Sequence, residues 1–422
     1  MAKRLTLYIL VAMIAGIVVG LTLNRTITDP ATITNVTGYI SILTDIFLRL
    51  IKMIIAPLVF STLVVGIAHM GDTTALGRIG LRSILWFVSA SLMSLTLGLI
   101  MVNLLEPGVG LGLPIPDVTA SSGVEKAAFT LKDFVIHLVP KSFFEAMSDN
   151  EILQIVIFSI FTGVAMTAIG ERAAPLLRGI EALVQVMLQI TSYVMRFAPL
   201  AVFAAVTTAL AQQGPGILLT FGKFMGGFYL TMILMWGLLL LICFVIVGGR
   251  SKLLVRYIRE PILLAFSTAS SEAAFPRTLE ALERFGVPRR IASFVLPLGY
   301  SFNLDGTMLY CTFATVFIAQ AYGIQLSLGQ QVTMLLVLMV TSKGVAGVPR
   351  ASLVVIASTL AFFKIPEAGL LLILAVDHFL DMGRSATNVV GNAVASVVVA
   401  KWEGTLDMMA PPEIEPIHAP SS

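Results

Sequence analysis

Charge is what this sequence has least of. Asp, Glu, Lys and Arg make up 12% of its 422 residues, where a soluble domain carries about 25%. The mean hydropathy is +0.94, and the deficit of charge recurs along the whole length. That excludes a water-soluble globule and predicts a polytopic, all-α membrane protein. The short alternating apolar and polar segments of a membrane β-barrel are missing. No basic patch interleaved with aromatics is present, so nothing points to nucleic acid. The net charge of +3 carries little information about partners. The two cysteines, Cys243 and Cys311, lie in apolar runs and read as small core residues, not a disulfide or metal pair. HExxH, GxSxG, a P-loop and a Cys/His cluster are all lacking, so an enzyme is not expected. No stretch is long enough for a soluble sensory module.

What is present is a series of apolar runs, near 5–23, 38–69, 79–105, 131–170, 182–212 and 218–247. A straight crossing needs about 20 residues. The second and fourth runs exceed that and must tilt, break or extend beyond the bilayer. The fourth contains Pro140 and 148-SDNE-151 and is expected to break. The opening MAKR-LTLYILVAMIAGIVVGLTL has the charge order of a signal peptide but the length of a span, with no convincing small-residue cleavage site. It is read as a retained first helix. The Gly/Pro/Ser-rich linker 106–130 reads as an external loop, and the Pro-rich tail from Pro411 as disordered. Lys3 and Arg4, Arg78 and Arg82, Arg172 and Arg178, and the cluster from Arg250 to Arg259 mark alternate loops. The positive-inside rule puts those loops and both termini in the cytoplasm.

The second half departs from simple crossings. Residues 256–276 form an apolar stretch that stops at 267-STASSEAAFP-276, and a basic loop follows, so the chain enters and returns on one side. Residues 291–320 cross but are interrupted by 301-SFNLDGT-307. Residues 328–363 are interrupted by 341-TSKGVAGVPRAS-352, and 367–401 crosses carrying Asp377, Asp381, Arg384, Asn388 and Asn392. The pattern is a re-entrant hairpin plus a crossing, twice. Irregular backbone at membrane depth is tolerated only where it lines a buried cavity. Interrupted segments at corresponding positions of two repeats point to a transporter site near the midplane.

Taken as one helix, 377, 381, 384, 388 and 392 fall within roughly an 80° arc. An ionised side chain at the bilayer centre costs on the order of 2.5–3.5 kcal/mol on insertion scales. Three on one stripe are hard to explain as packing. The plain alternative is that Asp381 and Arg384, at i and i+3, simply neutralise each other. The functional reading gives each residue a role. Arg384 is a permanently charged fork suited to a carboxylate, Asp381 can accept from an ammonium, and Asn388 can donate and accept. Together they describe a small zwitterion with an additional acid. The hairpin tips supply N–H groups and hydroxyls for its other carboxylate, and the break offers Asp305, carbonyls and Thr307.

These strings, 49-RLIKMIIAPLVFSTLVVGIA-68, STASSEAAFP, SFNLDGT, TSKGVAGVP and DMGRSATNVVGN, stand in an order that resembles the dicarboxylate/amino acid:cation symporter family. That family includes glutamate transporters, and the resemblance covers essentially the whole chain. It implies eight transmembrane helices plus two re-entrant hairpins, inverted repeats, a homotrimer in a bacterial inner membrane, and an elevator mechanism. The implied division is 1–77 for scaffold helices 1 and 2, 78–106 for a third helix in the moving domain, and 107–217 for a loop and scaffold helices 4 and 5. Residues 218–410 would complete the moving domain, with the second hairpin as external gate, and 411–422 the tail. By motif position, Asp381 would bind the substrate amino group and Arg384 its side-chain carboxylate. Asn388, Ser270, Ser271, Thr307, Ser385 and the backbone at Gly347 and Val348 would complete the site. Ser91, Glu272, Gly299, Asn303, Asp305, Asp377, Asn388 and Asn392 would serve ion or proton coupling.

Two departures shape the expectation. Sodium-coupled archaeal members have a carboxylate where this chain has Asn392, and an aromatic hydroxyl and a threonine where it has Phe87 and Ala90. Fewer oxygen ligands weaken binding of a hard cation. Proton coupling is therefore expected, as in the similar bacterial proton–glutamate symporters, with a residual sodium site at Asn303, Asp305 and Ser342. Glu272, Asp305, Asp377 and Asp381 are the candidates for the proton. Cys311 stands where potassium-counter-transporting members have a glutamate. The related C4-dicarboxylate carriers have a small hydroxyl in place of Asp381, so keeping Asp381 favours glutamate or aspartate over succinate or malate. A C4-dicarboxylate carrier and a sodium-coupled acidic amino acid symporter are the alternatives. No cofactor is expected, and the partners are an acidic amino acid, lipid and further copies of the chain.

Overall fold

The computed structural model describes residues 2–68, 73–110, 136, 139–214, 221–341, 351–374 and 376–407. Among them the chain is helical, without a strand. The order is α1 Ala2–Thr26, α2 Pro30–Ala68, α3 Thr73–Leu105, α4 Phe143–Ser148, α5 Ile152–Ile169, α6 Ala174–Val194, α7 Ala198–Gln213 and α8 Gly222–Val247. Then come α9 Ser251–Thr268, α10 Phe275–Phe285, α11 Arg289–Phe302, α12 Asp305–Ala321, α13 Leu328–Thr341, α14 Ala351–Phe362, α15 Leu370–Leu374 and α16 Asp377–Trp402. Among the described residues, six stretches are long and apolar enough to cross a bilayer. Several hydroxyls inside them are satisfied locally. Ser61 Oγ donates to Pro57 O at 2.7 Å, and Ser83 Oγ to Ile79 O at 2.8 Å, the one-turn back-bond that lets a hydroxyl sit in an apolar helix.

The long second run is one helix. α2 spans 39 residues, about 58 Å at 1.5 Å per residue, so it must tilt. Asp29 accepts from Thr32 Oγ1 and Thr32 N at 2.5 and 2.9 Å, which starts the helix and holds that exposed carboxyl below its usual range. The fourth run breaks at 149–151, as expected from its polar residues. Three boundaries correct the sequence reading. The run 182–212, taken as one span, is two helices from Ala174 to Gln213, separated by a 3-10 turn at Met195–Phe197 ahead of Pro199. The segment taken as a basic loop after the serine patch is a helix, α10. Its charges sit on one face while Leu279, Leu282 and Phe285 are buried on the other. The last crossing does not begin at 367, because α15 is a short turn before α16 starts at Asp377.

Contacts sort the helices into two groups. α1, α2, α5, α6 and α7 pack through α2 and α7, while α3, α8, α9, α11 and α12 pack around α16 or α12. The groups meet along a seam where α2 touches α11 and the 3-10 turn Glu272–Ala274, and α5 touches α11. At one end of the molecule, the Glu403 carboxylate lies 3.0 Å from Arg78 Nε and 2.6 Å from Arg82 Nη1. Beside it Arg250 donates to Asp407 O and Phe285 O at 3.0 and 3.1 Å. The basic start of α3, the start of α9 and the end of α16 therefore share that end.

Candidate functional site

Every charged and amide residue of the α16 stripe turns inward. Asp377, Arg384, Asn388 and Asn392 are 0% exposed and Asp381 1%. Arg384 Nε donates to Asp381 Oδ1 at 2.5 Å, so the i,i+3 pair is formed. Arg384 Nη1 also donates to Thr307 Oγ1 at 3.1 Å, and Asn388 Nδ2 to the same oxygen at 3.2 Å. In return Asn388 Oδ1 accepts from Gly306 N and Thr307 N at 2.9 and 3.3 Å. Those are amides of the first turn of α12, which have no partner within their own helix. One amide on α16 thus caps α12 and fixes Thr307 beside Arg384.

A second set lies where the chain breaks between α11 and α12. Asn303 Nδ2 donates to Asp305 Oδ2 at 3.3 Å and to Asn392 Oδ1 at 3.2 Å. Asp305 begins α12, where the helix dipole favours a carboxylate, and Ser94 Oγ donates to its carbonyl at 2.5 Å. Two glycines permit this approach. A Cβ at Gly391 would collide with the Asp305 carboxylate, and one at Gly299 with Asn392 Oδ1. Deeper still, Tyr310 OH donates to Asp377 Oδ1 at 2.7 Å.

The serine patch is the tip of a helical hairpin made by α9 and α10, which pack on each other. α9 ends at Ala269, whose φ of 51° is left-handed. Ser270 N then bonds back to Ala265 O at 3.2 Å, and Ser270 Oγ accepts from Ala273 N at 3.3 Å. Among the described residues, the buried Ser271 Oγ and Ser385 Oγ find no hydrogen-bond partner. Orphaned buried hydroxyls are uncommon, and here they stand at two of the positions expected to meet a ligand.

The structure therefore brings together Thr307, Asp381, Arg384 and Asn388 in one network, and Gly299, Asn303, Asp305 and Asn392 in another. Ser91 is buried one turn before Ser94. Ser270, Ser271 and Glu272 sit on the hairpin tip, and α9 packs along α16. Ser342, Gly347, Val348 and Arg350 lie outside the described residues, as do His69 and His137. His378 is half-buried with its ring 6.2 Å from Phe379. Sequence reading passed over Ser94, Tyr310 and Trp236, whose Nε1 donates to Thr387 Oγ1 on α16 at 2.8 Å. Ser94 and Tyr310 stand one turn beyond Ser91 and Thr307, so helical spacing from the residues already chosen would have found both.

Chemically, the first network is an anion and cation held in contact inside the protein. A zwitterion can replace that contact at no cost in neutrality, its ammonium on Asp381 and a carboxylate on Arg384. The sequence profile of the sodium:dicarboxylate symporter family matches residues 5–402. The chain is similar to the proton/sodium-glutamate symport protein of Bacillus caldotenax, 39% identical over 408 residues that cover 94% of each. The proton/sodium-glutamate symport protein of Bacillus subtilis (strain 168) is 38% identical over 418 residues, 98% of this chain and 95% of that one. The C4-dicarboxylate transport protein 2 of Polaromonas naphthalenivorans (strain CJ2) is 42% identical over 377 residues, 86% of this chain and 82% of that one.

Proposed function

The chain belongs to the sodium:dicarboxylate symporter family, and from that premise we propose that it imports an acidic amino acid, L-glutamate or L-aspartate, together with protons. It is a multi-pass membrane transporter and not an enzyme. The observation that carries the substrate reading is the buried Asp381–Arg384 contact at 2.5 Å, braced by Thr307 and Asn388. A substrate with an ammonium and two carboxylates satisfies both charges, whereas a dicarboxylate leaves Asp381 facing an anion. The orphaned Ser271 and Ser385 hydroxyls suit the main-chain carboxylate.

Proton coupling is supported by the second network. Asn303 Nδ2 donates to both Asp305 Oδ2 and Asn392 Oδ1, so an N–H donor bridges oxygens that a cation would otherwise bridge. A neutral amide at 392 also gives a hard cation less charge to bind. The two packing groups support an elevator, with the set around α16 sliding against the set around α2 along the seam. The arginines gathered around Glu403 and Asp407 support a cytoplasmic C-terminus. A homotrimer in a bacterial inner membrane completes the reading.

The second reading, a C4-dicarboxylate carrier, has a specific observation in its favour: relatives bearing that name are as similar as those named for glutamate. Uptake into proteoliposomes separates them. With an inward proton gradient and no sodium, labelled aspartate or glutamate accumulates and excess succinate does not compete. Competition by succinate without competition by aspartate overturns the substrate assignment, and uptake only with sodium overturns the coupling.

A further inference from the structure

A small cavity lies in the seam between the two helix groups. Ile55 and Val59 of α2 and Ile152 of α5 line one side, and Phe275, Pro297 and Tyr300 line the other, with Glu272 among them. An acidic side chain against a wall of that composition is costly in its ionised form. The four carboxylates near the site differ in surroundings. Asp381 is in contact with Arg384, Asp377 accepts from Tyr310, and Asp305 accepts from Asn303. Those three are fully buried within the packed group around α16. Glu272 is half-buried, borders the seam, and follows Ser271 directly in the chain.

We propose that Glu272 carries the coupled proton, and that an anionic substrate held at Ser271 is what makes it bind one. This rests on the reading of the chain as a proton-coupled carrier of an acidic amino acid. Glu272 follows Ser271 directly at the hairpin tip, and a like charge brought near a carboxylate favours its protonated form. The apolar lining keeps water from screening that repulsion. A carboxylate at Glu272 takes one proton as the anion arrives and returns it as the anion leaves. The moving helices then carry the same net charge empty as loaded, so both forms cross the seam equally well. The other ionisable groups on elements around the tip are Tyr300 on α11, Arg277 and Glu280 on α10, Glu260 on α9, Lys52 one turn before Ile55 on α2, and Glu151 before Ile152 on α5. Arg277 and Glu280 pair with each other at 2.8 Å.

Proton uptake on binding is the direct test. Purified protein in weak buffer with a pH indicator is mixed with saturating L-aspartate, and affinity is measured from pH 5 to 9. The full chain takes up about one proton per substrate, and its affinity falls by up to about tenfold per pH unit as pH rises. Glu272→Gln binds with no proton uptake and a flat pH profile, and Glu272→Asp restores uptake with its pH window displaced. A Gln variant that still takes up a proton, or a Gln variant that cannot bind while the Asp variant binds without proton uptake, overturns the assignment. If the unaltered protein binds aspartate without proton uptake, the coupling reading itself fails.

Discussion

At the scale of single residues, the site is an ion pair surrounded by neutral groups that point at it. Arg384 donates to Asp381 and to Thr307 through a planar fork whose geometry suits a carboxylate. Removing it takes the guanidinium away from the buried Asp381 carboxylate, a change worth about 2–5 kcal/mol at a desolvated charge pair. Arg384→Ala therefore weakens aspartate binding by about 30-fold or more, measured by calorimetry on the purified protein. Asp381→Asn separates the two substrate readings. It takes away the acceptor for an ammonium, a charged hydrogen bond worth about 1.5–3 kcal/mol, and so weakens aspartate by about tenfold or more. Succinate has no ammonium to lose and gains an unopposed guanidinium, so its affinity holds or rises. Equal losses for both ligands would refute the assignment of Asp381 to the amino group.

At the scale of elements, what the sequence disclosed depended on whether the signal was local. The hairpin at STASSEAAFP and the break at SFNLDGT were legible because polar residues, glycine and proline interrupt apolar runs there. The inward face of α16 was legible from helical spacing alone, since lipid tolerates no such stripe. The split between α6 and α7 was not, because the long run is interrupted there only by Arg196 and Pro199, too sparse a signal to mark a break. α10 was misread as a loop because its arginines dominate the string, although Leu279, Leu282 and Phe285 recur at helical spacing. Cross-helix bonds such as Ser94 to Asp305 and Tyr310 to Asp377 lie between distant parts of the chain, which no local pattern encodes. Close approach is likewise a property of pairs of elements. Gly391 lets the Asp305 carboxylate rest on α16, whereas Gly237 in α8 has nothing within 4 Å of a built Cβ. Gly391→Ala thus displaces the Asp305 carboxylate from its seat on α16 at a cost of about 1–3 kcal/mol. Gly237→Ala gains up to about 1 kcal/mol of helix propensity. Thermal unfolding in detergent should show the first variant less stable than the parent and the second no less stable; the reverse order would mean the α12–α16 packing is misjudged.

At the scale of the molecule, the question is whether the two helix groups move past each other. The seam has the make-up of a surface that can slide. Its cavity walls are mostly apolar, so contacts exchange without breaking directional bonds. The networks that fix the site lie wholly within one group, since α3, α11, α12 and α16 supply Ser94, Asn303, Asp305, Thr307, Arg384, Asn388 and Asn392. Such a site travels intact. Val59 on α2 and Phe275 at the hairpin line the same cavity from opposite groups, which makes them a place to lock the seam. With Cys243 and Cys311 replaced by serine, Val59→Cys combined with Phe275→Cys can be bridged by mercury or a short bifunctional maleimide. The locked protein keeps aspartate binding in detergent, because none of the residues proposed to hold the substrate has been touched, and loses uptake into proteoliposomes. Each single cysteine variant, treated in the same way, continues to transport. Undiminished uptake by the bridged protein would mean that substrate crosses without relative motion at this seam, and the division into a fixed and a travelling group would have to be abandoned.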